Sequence, residues 1–119
     1  MKYHVVVQPR AERDIQLAAH WILGQSGSLT SALRWARALR TKIATLSSNP
    51  ERCPIDPDSD VYGHDVRVLL HGKRPGVYRI LFMIRYDTVH LLTVRHSARR
   101  SIADEMAGDE GDEGADPVC

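Results

Sequence analysis

Cysteine is scarce in this chain. Cys53 and Cys119 are the only two in 119 residues, and no metal-ligand spacing relates them. Cys119 also follows an acidic, Gly-rich stretch, so neither a structural disulfide nor a cysteine metal site is expected, and the usage fits a reducing, cytoplasmic setting. The six histidines contain no i, i+4 pair, and His4, His20 and His64 fall in separate segments, which speaks against zinc. Long apolar runs are missing as well. Nothing approaches the roughly 18 apolar residues of a membrane span. The opening "MKYHVVVQPR" has too few apolar residues for a secretory signal. "HGKRPG" lacks the spacing of a phosphate-binding loop, and there are no internal repeats. These absences leave a cofactor-free, metal-free globular chain with no membrane role as the expectation.

What is present is charge, unevenly placed. The formal net charge is +1, from 16 basic and 15 acidic residues. Seven of the acids (Asp104, Glu105, Asp109, Glu110, Asp112, Glu113 and Asp116) lie in the last 16 residues, which hold no Lys or Arg. Residues 1–103 therefore carry eight acids against 16 bases, a formal +8. A body this basic points to a polyanionic or acidic partner. The segment 104–119 reads as an acidic, disordered tail beside a domain spanning 1–103.

Periodicity supplies the elements. "KYHVVV" (2–7) is a β-branched run and predicts a strand. Pro9 suits the first turn of a helix, along which Ala11, Ile15, Ala18 and Ile22 form one apolar stripe until "GQSGS" breaks it. Thr30 or Ser31 can cap a second helix, whose core-facing positions are Ala32, Trp35, Leu39, Ile43 and Leu46. Residues 49–65, with three prolines and four aspartates, form a loop long enough to be functional. Strands are expected at 65–72, 77–85 and 88–96, and "SARRSIADEM" suits a short closing helix. The expected fold class is α+β: a small single domain of order β-α-α-β-β-β(-α), with a helical hairpin packed on one face of a mainly antiparallel sheet.

Cations are threaded through the most core-like segment, "GVYRILFMIRYDTVHLLTVRHSARR". Strand residues alternate faces. Tyr78, Ile80, Phe82 and Ile84 then meet the helices, and Arg79 points away. The same alternation sends Val66, Val68 and Leu70 inward and Arg67, Leu69 and His71 outward. The register of the last strand stays open. A two-residue turn at "RYDT" puts Arg79 on the face of His90 and His96, and a three-residue turn puts it on the face of Arg95. In both cases a solvated basic face is expected, with Lys73, Arg74, Arg99 and Arg100 at the strand ends. Trp21 and Trp35 read as hairpin packing, and Cys53 as a loop thiol.

The element order, "LSSNPERCP", "VRVLLHGKRPGVYRILFMI" and "VHLLTVRHSARR" together resemble the RelE/ParE superfamily of type II toxin–antitoxin toxins over about residues 2–103. The resemblance implies a growth-inhibiting toxin, linked to plasmid stabilization, held in a heteromeric complex by a cognate antitoxin. Its branches imply two targets: DNA gyrase for ParE-like members, and mRNA in the ribosome for RelE-like members. In the nuclease branch the arginines map to Arg79 and Arg99, and the histidine to His96. Arginine would supply only charge there, because it keeps its proton, and histidine would move protons. Arg67, His71, Lys73, Arg74, Arg95 and Arg100 would bind the target or nucleic acid. The sequence departs from the nuclease pattern: no tyrosine comes after Tyr86, and no glutamate lies on the expected face. "VRHSARR" fits the ParE-like branch better. The alternatives are therefore a gyrase inhibitor, a metal-independent mRNA endonuclease, and a degenerate nontoxic binding module.

Overall fold

The computed structural model describes residues 2–73 and 76–97. The elements are β1 (His4–Val7), α1 (Pro9–Ser26), α2 (Leu29–Ala44), β2 (Arg67–His71), β3 (Tyr78–Arg85) and β4 (Thr88–His96), with three short 3-10 turns between α2 and β2. The sheet order is β1-β4-β3-β2. β2–β3 and β3–β4 pair antiparallel, and β1 joins β4 in parallel. The expected closing helix lies outside the described residues.

Local chemistry sets the helix limits. Pro9 occupies the first turn of α1, where its missing N–H costs nothing. Gly27 ends the helix at φ 67, a left-handed conformation that favours glycine, and its N–H reaches the Leu23 carbonyl at 2.8 Å. The cap of α2 is Ser28, not Thr30 or Ser31: its hydroxyl accepts from the Ser31 N–H at 3.0 Å. Helix geometry therefore starts two residues earlier than the apolar stripe alone indicates.

Both helices lie on one face of the sheet. Ala11 and Ile15 of α1 and Leu39 and Ile43 of α2 bury against Tyr78, Ile80 and Phe82 of β3, Val89, Leu91 and Val94 of β4, and Leu69 of β2. Burial on this scale is the main favourable term in folding. Trp35 packs on Tyr78 at 4.9 Å between ring centroids, and Tyr78 meets the edge of His96 at 5.0 Å. Trp35 is hairpin packing, as its spacing predicts. Trp21 touches His96 at 6.5 Å but stays 57% exposed.

β1 covers only part of β4, ending at the Val7–Leu91 pair. Beyond it the edge of β4 would present bare N–H groups. Asp14 of α1 fills that role, accepting from the Val94 N–H at 3.1 Å and from the Thr93 hydroxyl. Asp14→Ala leaves both donors without their acceptor. It should lower unfolding stability by about 1–3 kcal/mol, read as a shift in the urea midpoint. An unchanged midpoint would show that water replaces the carboxylate at no cost.

Candidate functional site: the arginine face of the sheet

The turn between β3 and β4 is the two-residue one. Arg85 pairs with Thr88, leaving Tyr86 and Asp87 between them. His90 then stands opposite Met83, on the face of Arg79, as that turn requires. The pairing slips farther along: Phe82 faces Leu91, but Leu81 faces Thr93. Leu92 is the extra residue of a β-bulge, and it inverts the phase of β4 from Thr93 onward. Arg95 therefore lies opposite Arg79, and His96 opposite Tyr78, toward the helices. Each of the two registers open in the sequence holds for half of the strand.

β2 runs in the opposite phase to that expected. Arg67, Leu69 and His71 pair with Phe82, Ile80 and Tyr78, so these three turn toward the helical side, and Val68 and Leu70 turn away. Arg67 is spent on local backbone, donating to the Glu51 and Cys53 carbonyls at 3.2 and 2.7 Å. His71 is half-buried. Burial, and to a smaller degree the nearby Lys42 charge, push its pKa below the usual histidine value. Arg67 and His71 thus leave the set expected on the arginine face. Lys73 is exposed in the β2–β3 turn. Arg74, Arg99 and Arg100 lie outside the described residues.

The face away from the helices is solvated only in part: Leu70 on it is 55% exposed, but its middle is covered. Leu81, Thr93 and Arg95 on it are 1%, 3% and 7% exposed. The long loop runs along β2: Asp56 N–H reaches the Val66 carbonyl at 2.7 Å, and Val68 N–H reaches the Pro54 carbonyl at 3.0 Å. Ser59 closes it, accepting from Val66 N–H at 2.8 Å and donating to the His64 carbonyl at 3.0 Å. From this loop Asp56 accepts a hydrogen bond from the Arg79 guanidinium, with the Asp56 side chain 1% and the Arg79 side chain 22% exposed. The other Asp56 oxygen takes the Asp58 N–H at 3.0 Å. Arg79 does point away from the hairpin, and it is held there by a buried carboxylate.

Tyr62 completes the cluster. Its phenol oxygen is buried with no hydrogen-bond partner among the described residues. Burial raises its pKa, and the charges of Arg95, Arg10 and Arg79 oppose that rise, while Asp56 adds to it. Arg10, Arg79, Arg95, Asp56 and Tyr62 thus share one neighbourhood. Sequence reasoning missed Asp56, Tyr62 and Arg10. The density of prolines and aspartates in 49–65 marked the loop, but none of its four aspartates is singled out by spacing.

Chemically the arrangement attracts anions, and among the described residues no histidine stands beside Arg79 to share proton transfer with it. His96 lies on the opposite face from Arg79. His90 shares the face of Arg79 but sits opposite Met83, four residues along β3, about 13 Å away at strand rise. It is engaged with Gln8 at 3.2 Å. Among the described residues no group of three His, Cys, Asp or Glu stands close enough to hold a metal ion. No helix among them is long and apolar enough to cross a membrane.

The depressed His71 pKa has a stability consequence. The unfolded chain binds the proton more readily than the folded one. The stabilisation is therefore complete above about pH 6.5, the unfolded histidine value, and is lost as pH falls through the lower folded value. Urea unfolding at pH 7 and pH 5 should show wild type losing more stability than His71→Gln. Equal losses would place the pH sensitivity elsewhere.

Comparison with known proteins speaks to the family and the fold. A family model described as the ParE toxin of the type II toxin–antitoxin system parDE matches residues 5–101. No curated protein matches the sequence. Among solved structures, a chain of the chromosomal ParDE TA system from P. aeruginosa superposes with a TM-score of 0.64 at 16% identity, covering 79% of this chain and 95% of that one. At that identity the likeness speaks for the fold. The family match spans most of the sequence, and the chain belongs to the ParE toxin family of type II toxin–antitoxin systems.

Proposed function

We propose that the chain arrests growth in the cytoplasm by binding and inhibiting DNA gyrase, not by cutting RNA, and that a cognate antitoxin neutralises it. The observation that carries this reading is the division of the nuclease candidates. Arg79 is engaged with buried Asp56 on one face of β3, and His96 turns to the other. An arginine can stabilise a scissile phosphate only if its guanidinium is free to meet the developing charge. A binding surface has no such requirement. Lys73, exposed in the β2–β3 turn, supplies basic chemistry there for a target.

Antitoxin capture has its own support. Leu17 and Trp21 of α1 are 60% and 57% exposed. Two large apolar side chains one helical turn apart suit an apolar anchor on a partner. The +8 charge of residues 1–103 favours an acidic partner and speeds its encounter.

Induced expression in bacteria tests the proposal. Growth arrest should come with DNA-damage signalling, and purified chain should block gyrase supercoiling. Arg34→Ala, at an exposed position on α2, should leave both intact. Codon-phased cuts in translated mRNA, with supercoiling unaffected, would favour the ribosome-dependent endonuclease. Absence of arrest would favour a nontoxic binding module.

A further inference from the structure

The turn between β3 and β4 carries a residue that the fold does not favour. Tyr86 has φ 57, in the left-handed region, where a bulky side chain is an outlier. Two-residue hairpin turns prefer Gly, Asn or Asp in that conformation. Asp87, its neighbour, is well used by the fold. Its carbonyl accepts the His4 N–H at 2.8 Å, and its carboxylate takes the Thr88 hydroxyl at 3.1 Å and stands 3.9 Å from the His4 ring. Tyr86 is 91% exposed, the highest value among the large apolar side chains described. A strained backbone and an exposed ring thus meet at one position, with no compensating contact inside the molecule. Strain that persists at an exposed turn points to function.

We infer that Tyr86 anchors the chain to its target protein: the ring enters an apolar pocket on that protein, and an acidic rim of the pocket meets Arg85. Arg85 ends β3 next to Tyr86 and is exposed. Tyrosine and arginine are enriched among the few residues that carry most of the binding energy at protein interfaces. The base of the ring is fixed, because Asp87 ties the turn to β1, so little order is lost on docking. Position separates this anchor from the surface assigned to the antitoxin. Trp21 lies against His96, at the far end of β4 from the turn. The eight steps from Thr88 to His96 span about 26 Å at strand rise. The inference rests on the reading that the chain acts by binding a target protein, and it names the residue that makes the contact.

The test pairs activity with stability in the full chain. Tyr86→Asn should have a urea midpoint no lower than that of wild type, because Asn tolerates the left-handed backbone. The same variant should need about 30-fold more chain to block gyrase supercoiling, the scale of a hot-spot residue. Tyr86→Phe keeps the ring and should block as wild type does, and Arg85→Gln should weaken the block several-fold. If wild type leaves supercoiling untouched, the gyrase reading fails on its own. Growth arrest on induced expression then becomes the readout, and Tyr86→Asn should relieve it. Inhibition or arrest by Tyr86→Asn at the wild-type level would overturn the inference, as would absence of arrest by wild type. A lower urea midpoint would overturn it too, by showing that the ring serves the fold. So would binding of plasmid DNA alone that Tyr86→Asn abolishes, because the ring would then stack on a base.

Discussion

The pairing of Asp56 with Arg79 ties two parts of the chain that are far apart in sequence. It pins the long loop to the sheet face that the helices leave uncovered. It also sets what Arg79 can do. A carboxylate that is 1% exposed is tolerable only while its partner stays in place, and the guanidinium is fixed in turn. Replacing Arg79 alone therefore does more than remove a charge from a surface. It strands Asp56, and a loss of activity in such a variant would mix folding with function. The loop gains a structural role from the same contact, since its hydrogen bonds to Val66 and Val68 continue the sheet past β2.

The β-bulge at Leu92 is the second constraint. One extra residue in β4 turns Arg95 to the arginine face and His96 to the aromatic group of Tyr78, Trp35 and Trp21. Without it His96 would join Arg79, the pairing that RNA cleavage calls for. The same bulge lies near the point where β1 stops covering β4, and there Asp14 caps the exposed edge. The sheet holds the charge of Arg79 and the titratable ring of His96 on opposite faces.

Much of the architecture was legible in the sequence, because burial leaves a period. The 3.6-residue stripes of α1 and α2 and the alternation of Tyr78, Ile80, Phe82 and Ile84 lead to the observed helix hairpin and the inward face of β3. The phase of β2 was not legible. Val66, Val68 and Leu70 offer one apolar face, while buried Leu69 supports the other, and only the pairing with Ile80 decides between them. The site was less legible still. A bulge leaves no compositional mark in "TVHLLTVRH", and a loop aspartate that reaches 23 residues ahead to Arg79 obeys no local rule. Side chains that solvate a surface and side chains that meet a buried partner look alike until the loop is placed over them.

The central claim is that Arg79 serves the fold by neutralising Asp56. A double-mutant cycle over Asp56→Asn and Arg79→Gln, read by urea unfolding, tests it most directly. Each single replacement should destabilise by about 2–5 kcal/mol, and the pair by clearly less than the sum, with a coupling above about 1.5 kcal/mol. A coupling near zero would mean that the guanidinium stands free of Asp56 in solution, available to a phosphate, and would contradict the account.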